Sequence, residues 1–153
     1  ESGGEVVGDL TSSVDGSLSG TLVGGDEVPS LIDEIPILAV AASQARGVTR
    51  FEDAGELRVK ESDRLEALVE ALGSLGVPVR SGDDWLEVRG PSEIHGGHVD
   101  ARGDHRLAMA YHVAGLVASS PVRIHGYEAV SVSFPGFADA LQSLETGGRE
   151  PGT

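Results

Sequence analysis

The sequence predicts an α/β (α+β) fold assembled from repeated βαβαββ units, and three observations predict it. Stretches with apolar residues at three- and four-residue spacing alternate with short β-rich runs. Matching features recur at one offset of roughly 70 residues. The composition, 39% hydrophobic but only 4% aromatic over 153 residues, suits one ordinary domain with a core of Val, Leu, Ile and Ala.

In chain order, Glu5–Val14 and Leu18–Val23 read as short strands between glycines. A first helix is expected from Asp33 to about Arg46, with Asp33 as N-cap, Pro36 tolerated in the first turn and Gly47 ending it. Val48–Phe51 is the next strand. A second helix starts near Ser62, carries Leu65, Leu68, Val69, Leu72 and Leu75 on one face, and stops at Gly76. Val77–Arg80 and Trp85–Arg89 form a hairpin across the turn Ser81-Gly82-Asp83-Asp84. A third helix opens at Asp104 and is terminated by Ser119-Ser120-Pro121. Val122–His125 and Ala129–Val132 are read as strands, and a fourth helix after Pro135 places Phe137, Leu141 and Leu144 on one face.

One shift of roughly 70 residues pairs Asp33 with Asp104, Arg50 with Arg123 and Arg64 with Phe137, each pair in equivalent elements. A duplicated unit is the simplest account. The expected division is a partial domain over 1–147: hairpin and entry strands in 1–24, one βαβαββ unit in 25–90, a second, incomplete unit in 91–147, then a tail at 148–153. Repeats that begin and end mid-unit, in a chain without an initiator Met, predict a piece of something longer.

Charge narrows the function. Twenty-five carboxylates face eleven cations, a net charge of −14, which repels nucleic acid and anionic membranes. No run of about 18 apolar residues is present, and no signal-peptide pattern opens the chain. With no cysteine, disulfides, thiolate metal sites and a cysteine nucleophile are excluded. Acid excess with almost no lysine better fits a protein made for a very salty cytoplasm, where screening removes self-repulsion. His95-Gly96-Gly97-His98 lacks a third ligand for a metal. His112 falls among apolar helical positions and belongs to the core or its edge. Phosphate-loop, dinucleotide and GxSxG patterns are absent.

Three charged clusters stand at element starts. The single lysine, Lys60, lies in Leu57-Arg58-Val59-Lys60-Glu61-Ser62-Asp63-Arg64, where a loop becomes a helix. Cations are unfavourable at a helix N-terminus, so Lys60 and Arg58 make sense there if an anion docks on the free N–H groups. Gly103-Asp104-His105-Arg106 again puts a guanidinium in a first turn, and Arg64 with Arg106 would fork around a carboxylate or phosphate. Asp33 is either a plain N-cap or a carboxylate placed to accept a proton. The ligand expected is small and multiply anionic.

Asp33-Glu34-Ile35-Pro36, Leu57 to Leu65, Asp104-His105-Arg106-Leu107-Ala108-Met109 and Ser131-Val132-Ser133-Phe134-Pro135 resemble, in this order, the motifs of the 5-enolpyruvylshikimate-3-phosphate synthases. The resemblance runs from Gly8 to about Leu144. It implies the C-terminal third of a two-domain enolpyruvyl transferase with three βαβαββ units per domain. It also implies a cytoplasmic, cofactor-free reaction of the shikimate pathway towards chorismate and the aromatic amino acids. The enolpyruvyl group of phosphoenolpyruvate would pass to the 5-hydroxyl of shikimate 3-phosphate, releasing phosphate, by addition and then elimination.

Carried onto matching positions, the resemblance makes Asp33 the base and a shikimate-phosphate contact. Lys60 binds the same substrate near the reacting oxygens, and Glu61 donates the proton to the methylene carbon. Arg64 and Arg106 hold phosphoenolpyruvate, with His105 beside them. Some members carry a lysine before Phe-Pro, where this chain has Val132. The N-terminal domain, expected to supply the other half of the site, is the implied partner, and the piece alone is expected to be inactive. Two alternatives remain open on the residues: a non-catalytic anion-binding module, and the sister enzyme acting on UDP-N-acetylglucosamine.

Overall fold

The computed structural model describes residues 16–147; the expected strand Glu5–Val14 and the tail lie outside them. The element order is β1 (Leu22–Val23), α1 (Val28–Leu31), α2 (Ile35–Gln44), β2 (Gly47–Phe51), α3 (Arg64–Ser74), β3 (Val79–Ser81), β4 (Leu86–Gly90), β5 (Gly97–Asp100), α4 (His105–Val117), β6 (Val122–His125), α5 (Val130–Ser133) and α6 (Phe137–Gly147).

β1 and β2 pair in parallel, and the β3–β4 hairpin extends them antiparallel to give the order β1-β2-β4-β3. A second parallel pair, β5–β6, is separate, with His98 opposite Arg123. Helices connect both parallel pairs, as such crossovers require. The first pair bends tightly around its entry strand: a Cβ on Gly20 would lie 2.3 Å from the Val48 carbonyl oxygen, so only glycine fits.

The helices bury the predicted faces. Leu65, Leu68, Leu72 and Leu75 are fully buried along α3, and its turn ends as expected with Gly76 at φ 90°. The Asp104 carboxylate caps α4 by accepting from the N–H groups of Arg106 and Leu107. α2, rich in small residues, packs Ala39, Val40 and Ala42 into the same core that receives Leu107, Ala110, Tyr111 and Ala114 from α4. Tyr111 is buried with its hydroxyl donating to the Ala67 carbonyl on α3, 3.1 Å away. These contacts fix the N-terminal mouths of α2, α3 and α4 relative to one another.

Two expectations need correction, and two further stretches gain detail. α2 begins at Ile35, two residues later than expected, and its N-cap position is Glu34, without a side-chain cap; Asp33 is engaged elsewhere. Ala129–Val132 is not a strand but a 3-10 turn running into α5, because Gly126 at φ 78° turns the chain back and Val130 is buried under α4. The His95–His98 stretch, weighed only as a weak metal site, contains the start of β5. Leu144 is 73% exposed, so the apolar face of α6 is covered only at its beginning.

Candidate active site

Asp33 lies in the turn between α1 and α2, Lys60 and Glu61 between a 3-10 turn (Gly55–Val59) and α3, Arg64 at the first position of α3, and Arg106 at the second position of α4. They meet. The Asp33 carboxylate is 2.8 Å from Arg64 Nη1, 3.3 Å from Arg106 Nη2 and 3.8 Å from Lys60 Nζ. His105 is half-buried beside Arg106.

Arg64 is the hub. Its side chain is 1% exposed and its donors are spent on three carboxylates: Nε on Asp104 at 2.7 Å, Nη1 on Asp33, and Nη2 on Glu61 at 2.5 Å. Asp104, also fully buried, receives a further contact from the Ser62 hydroxyl at 3.3 Å. Burial works against the charge on Arg64, but hydrogen bonds and charges from Asp104, Asp33 and Glu61 outweigh it and hold the guanidinium above its ordinary pKa.

The other two cations are more open. Arg106 is 34% exposed and Lys60 23%. Arg106 also faces Glu34 at 3.7 Å and donates to the Asp33 carbonyl. Lys60 is held 2.5 Å from Glu56, the hydrogen bond that does most to raise its pKa, with Asp33 adding to it against burial. At Asp33, burial pushes the carboxyl pKa up, but the Arg64 hydrogen bond and the charges of Arg106, Lys60 and Arg64 together pull it below the ordinary value. Beside Asp33 and Arg106 a groove opens, floored by Pro36, Ile37, Met109 and Val113. That floor is apolar, so a multiply anionic ligand has its partners only at the mouth.

Three findings escaped the sequence reading. Asp104 reads in the sequence only as the opening of a helix, yet its carboxylate also neutralises Arg64. Glu56 was not singled out, yet it is the nearest partner of Lys60. Arg58 was counted as a cation awaiting an anion, but it ties the β3–β4 turn to α3: Nε donates to the Asp83 carbonyl at 2.8 Å, Nη1 to Asp63 at 2.8 Å and Nη2 to the Gly82 carbonyl. Val132, at the family's lysine position, is 86% exposed in α5. Among the described residues no group of His, Asp and Glu has the arrangement of a metal site.

The architecture is shared with enolpyruvyl transferases. Over 82% of this chain it matches the EPSP synthase of Acinetobacter baumannii with a TM-score of 0.79 and 38% identity, covering 30% of that chain. The enolpyruvyl transferase NikO of Streptomyces tendae shares the fold at a TM-score of 0.65 and 21% identity.

The sequence places it more narrowly. The family model described as EPSP synthase (3-phosphoshikimate 1-carboxyvinyltransferase) matches residues 7–141, and the chain belongs to that family. Proteins named 3-phosphoshikimate 1-carboxyvinyltransferase from Desulforudis audaxviator and Synechocystis are 51% and 48% identical over 94% of this chain. The chain spans about a third of the length of these relatives, 33% and 32%.

Proposed function

We propose that the chain supplies the phosphoenolpyruvate-facing side of an enzyme that moves the enolpyruvyl group of phosphoenolpyruvate to the 5-hydroxyl of shikimate 3-phosphate, releasing phosphate. The observation that carries this reading is the meeting of Lys60, Arg64 and Arg106 on the one carboxylate of Asp33. Arg106 and Lys60 are the cations an incoming anion reaches first. Arg64 comes into reach as Glu61, half exposed, swings aside. Glu61, released from its cation, takes up a proton from solvent and passes it to the methylene carbon, returning to the carboxylate, and His105 flanks the anion. Lys60 and Asp33 hold the shikimate substrate.

Substrate binding itself prepares the base. While three cations face Asp33 its carboxylate binds protons poorly and is a weak acceptor. Phosphate and carboxylate groups drawing Arg64, Arg106 and Lys60 toward themselves relax that hold, and the Asp33 pKa rises towards the range where it takes a hydroxyl proton. Base strength thus develops only with phosphoenolpyruvate in place.

The remaining contacts to shikimate 3-phosphate come from sequence corresponding to the two thirds of the relatives that this chain does not span. A cytoplasmic setting of high ionic strength fits the acid excess of −14. The test is phosphate release from phosphoenolpyruvate, with shikimate 3-phosphate or UDP-N-acetylglucosamine as acceptor. The full-length protein turns over only the first, and the 153-residue chain turns over neither. Turnover by the chain alone, or a full-length protein that prefers the nucleotide sugar, overturns the reading.

A further inference from the structure

We propose that Asp104 is a positioning residue for the transfer, the single carboxylate that sets two substrate-holding guanidiniums at a fixed distance. This rests on the function proposed above. One oxygen of Asp104 accepts from Arg64 Nε at 2.7 Å and from the Ser62 hydroxyl at 3.3 Å. The other accepts from the Arg106 N–H at 2.9 Å, the Leu107 N–H at 3.3 Å and Arg64 Nη2 at 3.4 Å. The group therefore bolts the side chain that opens α3 to the backbone that carries Arg106 at the mouth of α4.

Its own place is well determined. Asp104 is fully buried, its N–H donates to the Ala101 carbonyl at 2.8 Å, and the turn before it uses two successive left-handed residues, Arg102 at φ 54° and Gly103 at φ 73°. A helix cap alone explains neither the burial nor the guanidinium, since a cap needs one acceptor and any of Asp, Asn or Ser provides it. The second function of this side chain is to keep Arg64 from following its ligand. With Nε held, the guanidinium pivots about that bond, and Nη1 and Nη2 exchange Asp33 and Glu61 for substrate oxygens.

Two substitutions in the full-length protein separate cap from bolt. Asp104→Asn keeps the cap and discards the charge; Asp104→Glu keeps the charge but displaces it by one methylene. Both variants are expected to fold, by circular dichroism, and to raise KM for phosphoenolpyruvate strongly while leaving KM for shikimate 3-phosphate near the wild-type value. The fall in kcat/KM for phosphoenolpyruvate is about 100-fold, the effect of misplacing a substrate-orienting group by about 1 Å. A scaffold role would instead lower kcat alone, through a smaller folded fraction. Either variant with both KM values and kcat within about twofold of wild type overturns the proposal. So does a failure of both to fold, which would make Asp104 part of the scaffold only. An inactive wild-type protein would refute the proposed function instead.

Discussion

Replacing Arg64 by Met should cost the chain about 3 kcal/mol of stability, and nearly all of that cost should trace to one carboxylate. The substitution leaves Asp33, Glu61 and Asp104 without their shared cation. Asp33 and Glu61 are 36% and 51% exposed, so water resolvates them and their loss is small. Asp104 is 0% exposed and has no such recourse. Removing one member of a buried pair typically costs about 3–5 kcal/mol. The N–H groups of Arg106 and Leu107 and the Ser62 hydroxyl remain on Asp104, which places the expectation at the low end.

Urea unfolding of the chain measures this directly as a drop in midpoint at unchanged slope; in a thermal melt it corresponds to about 6–12 °C at about 2–4 °C per kcal/mol for a chain of this size. The decisive variant is Arg64→Met with Asp104→Asn. Asparagine keeps the cap and removes the stranded charge, so the double variant should recover about 2 kcal/mol relative to the single one, a coupling well above additivity. A single variant costing less than about 1 kcal/mol, or a double variant no more stable than Arg64→Met, would refute the argument that burial of this pair sets the energetics of the site.

Arg58→Ala should lower stability by about 1–2 kcal/mol, the value of its charge-assisted bonds reduced for partial exposure, while KM for phosphoenolpyruvate in the full-length protein stays unchanged; a KM shift would return Arg58 to the anion site. The folded-state pKa of Asp33 is depressed below 3.8, so its stabilising contribution is complete above the unfolded value and is lost as pH falls through the folded one. Wild type and Asp33→Asn should therefore differ most near neutrality and converge in acid melts below about pH 4, and a gap that widens on acidification contradicts the assignment. Adding salt should raise the melting temperature of the wild-type chain by screening its net charge of −14; greatest stability in dilute buffer would sink the idea of salt adaptation.

Much of the fold was legible because local chemistry and tertiary demand agree. α3 and α4 begin at Asp63 and Asp104, each accepting a backbone N–H, and carry unbroken apolar faces. Where they disagree, the reading failed. The Asp33 sequence has every mark of a cap, but three cations outbid the backbone for its carboxylate and the helix starts later, at Ile35. Ala129–Val132 alternates its two β-branched valines with small residues and reads as a strand; the pull of Val130 into the core beneath α4 decides for a helical turn. β5 is a glycine- and histidine-containing stretch without periodicity, and only its pairing with the distant β6 makes it a strand.

The site was legible as a set of charges at helix mouths and illegible as a network, since spacing along a chain says which residue types crowd an element start but not which partners they choose. The difference matters for binding. Lys60, Arg64 and Arg106 face Asp33, Glu34, Glu56, Glu61 and Asp104, so the cluster is anionic as it stands. A ligand does not fill a vacant positive pocket; it exchanges with carboxylates. Each contact it makes at the exposed carboxylates replaces an ion pair of similar strength, itself weakened by solvent, and a singly charged anion gains nearly what it displaces. Net affinity then requires a ligand with several negative oxygens, engaging Arg106 and Arg64 bidentately while the freed Asp33 and Glu61 find a hydroxyl and a carbon to serve. An anion with both phosphate and carboxylate groups meets that requirement.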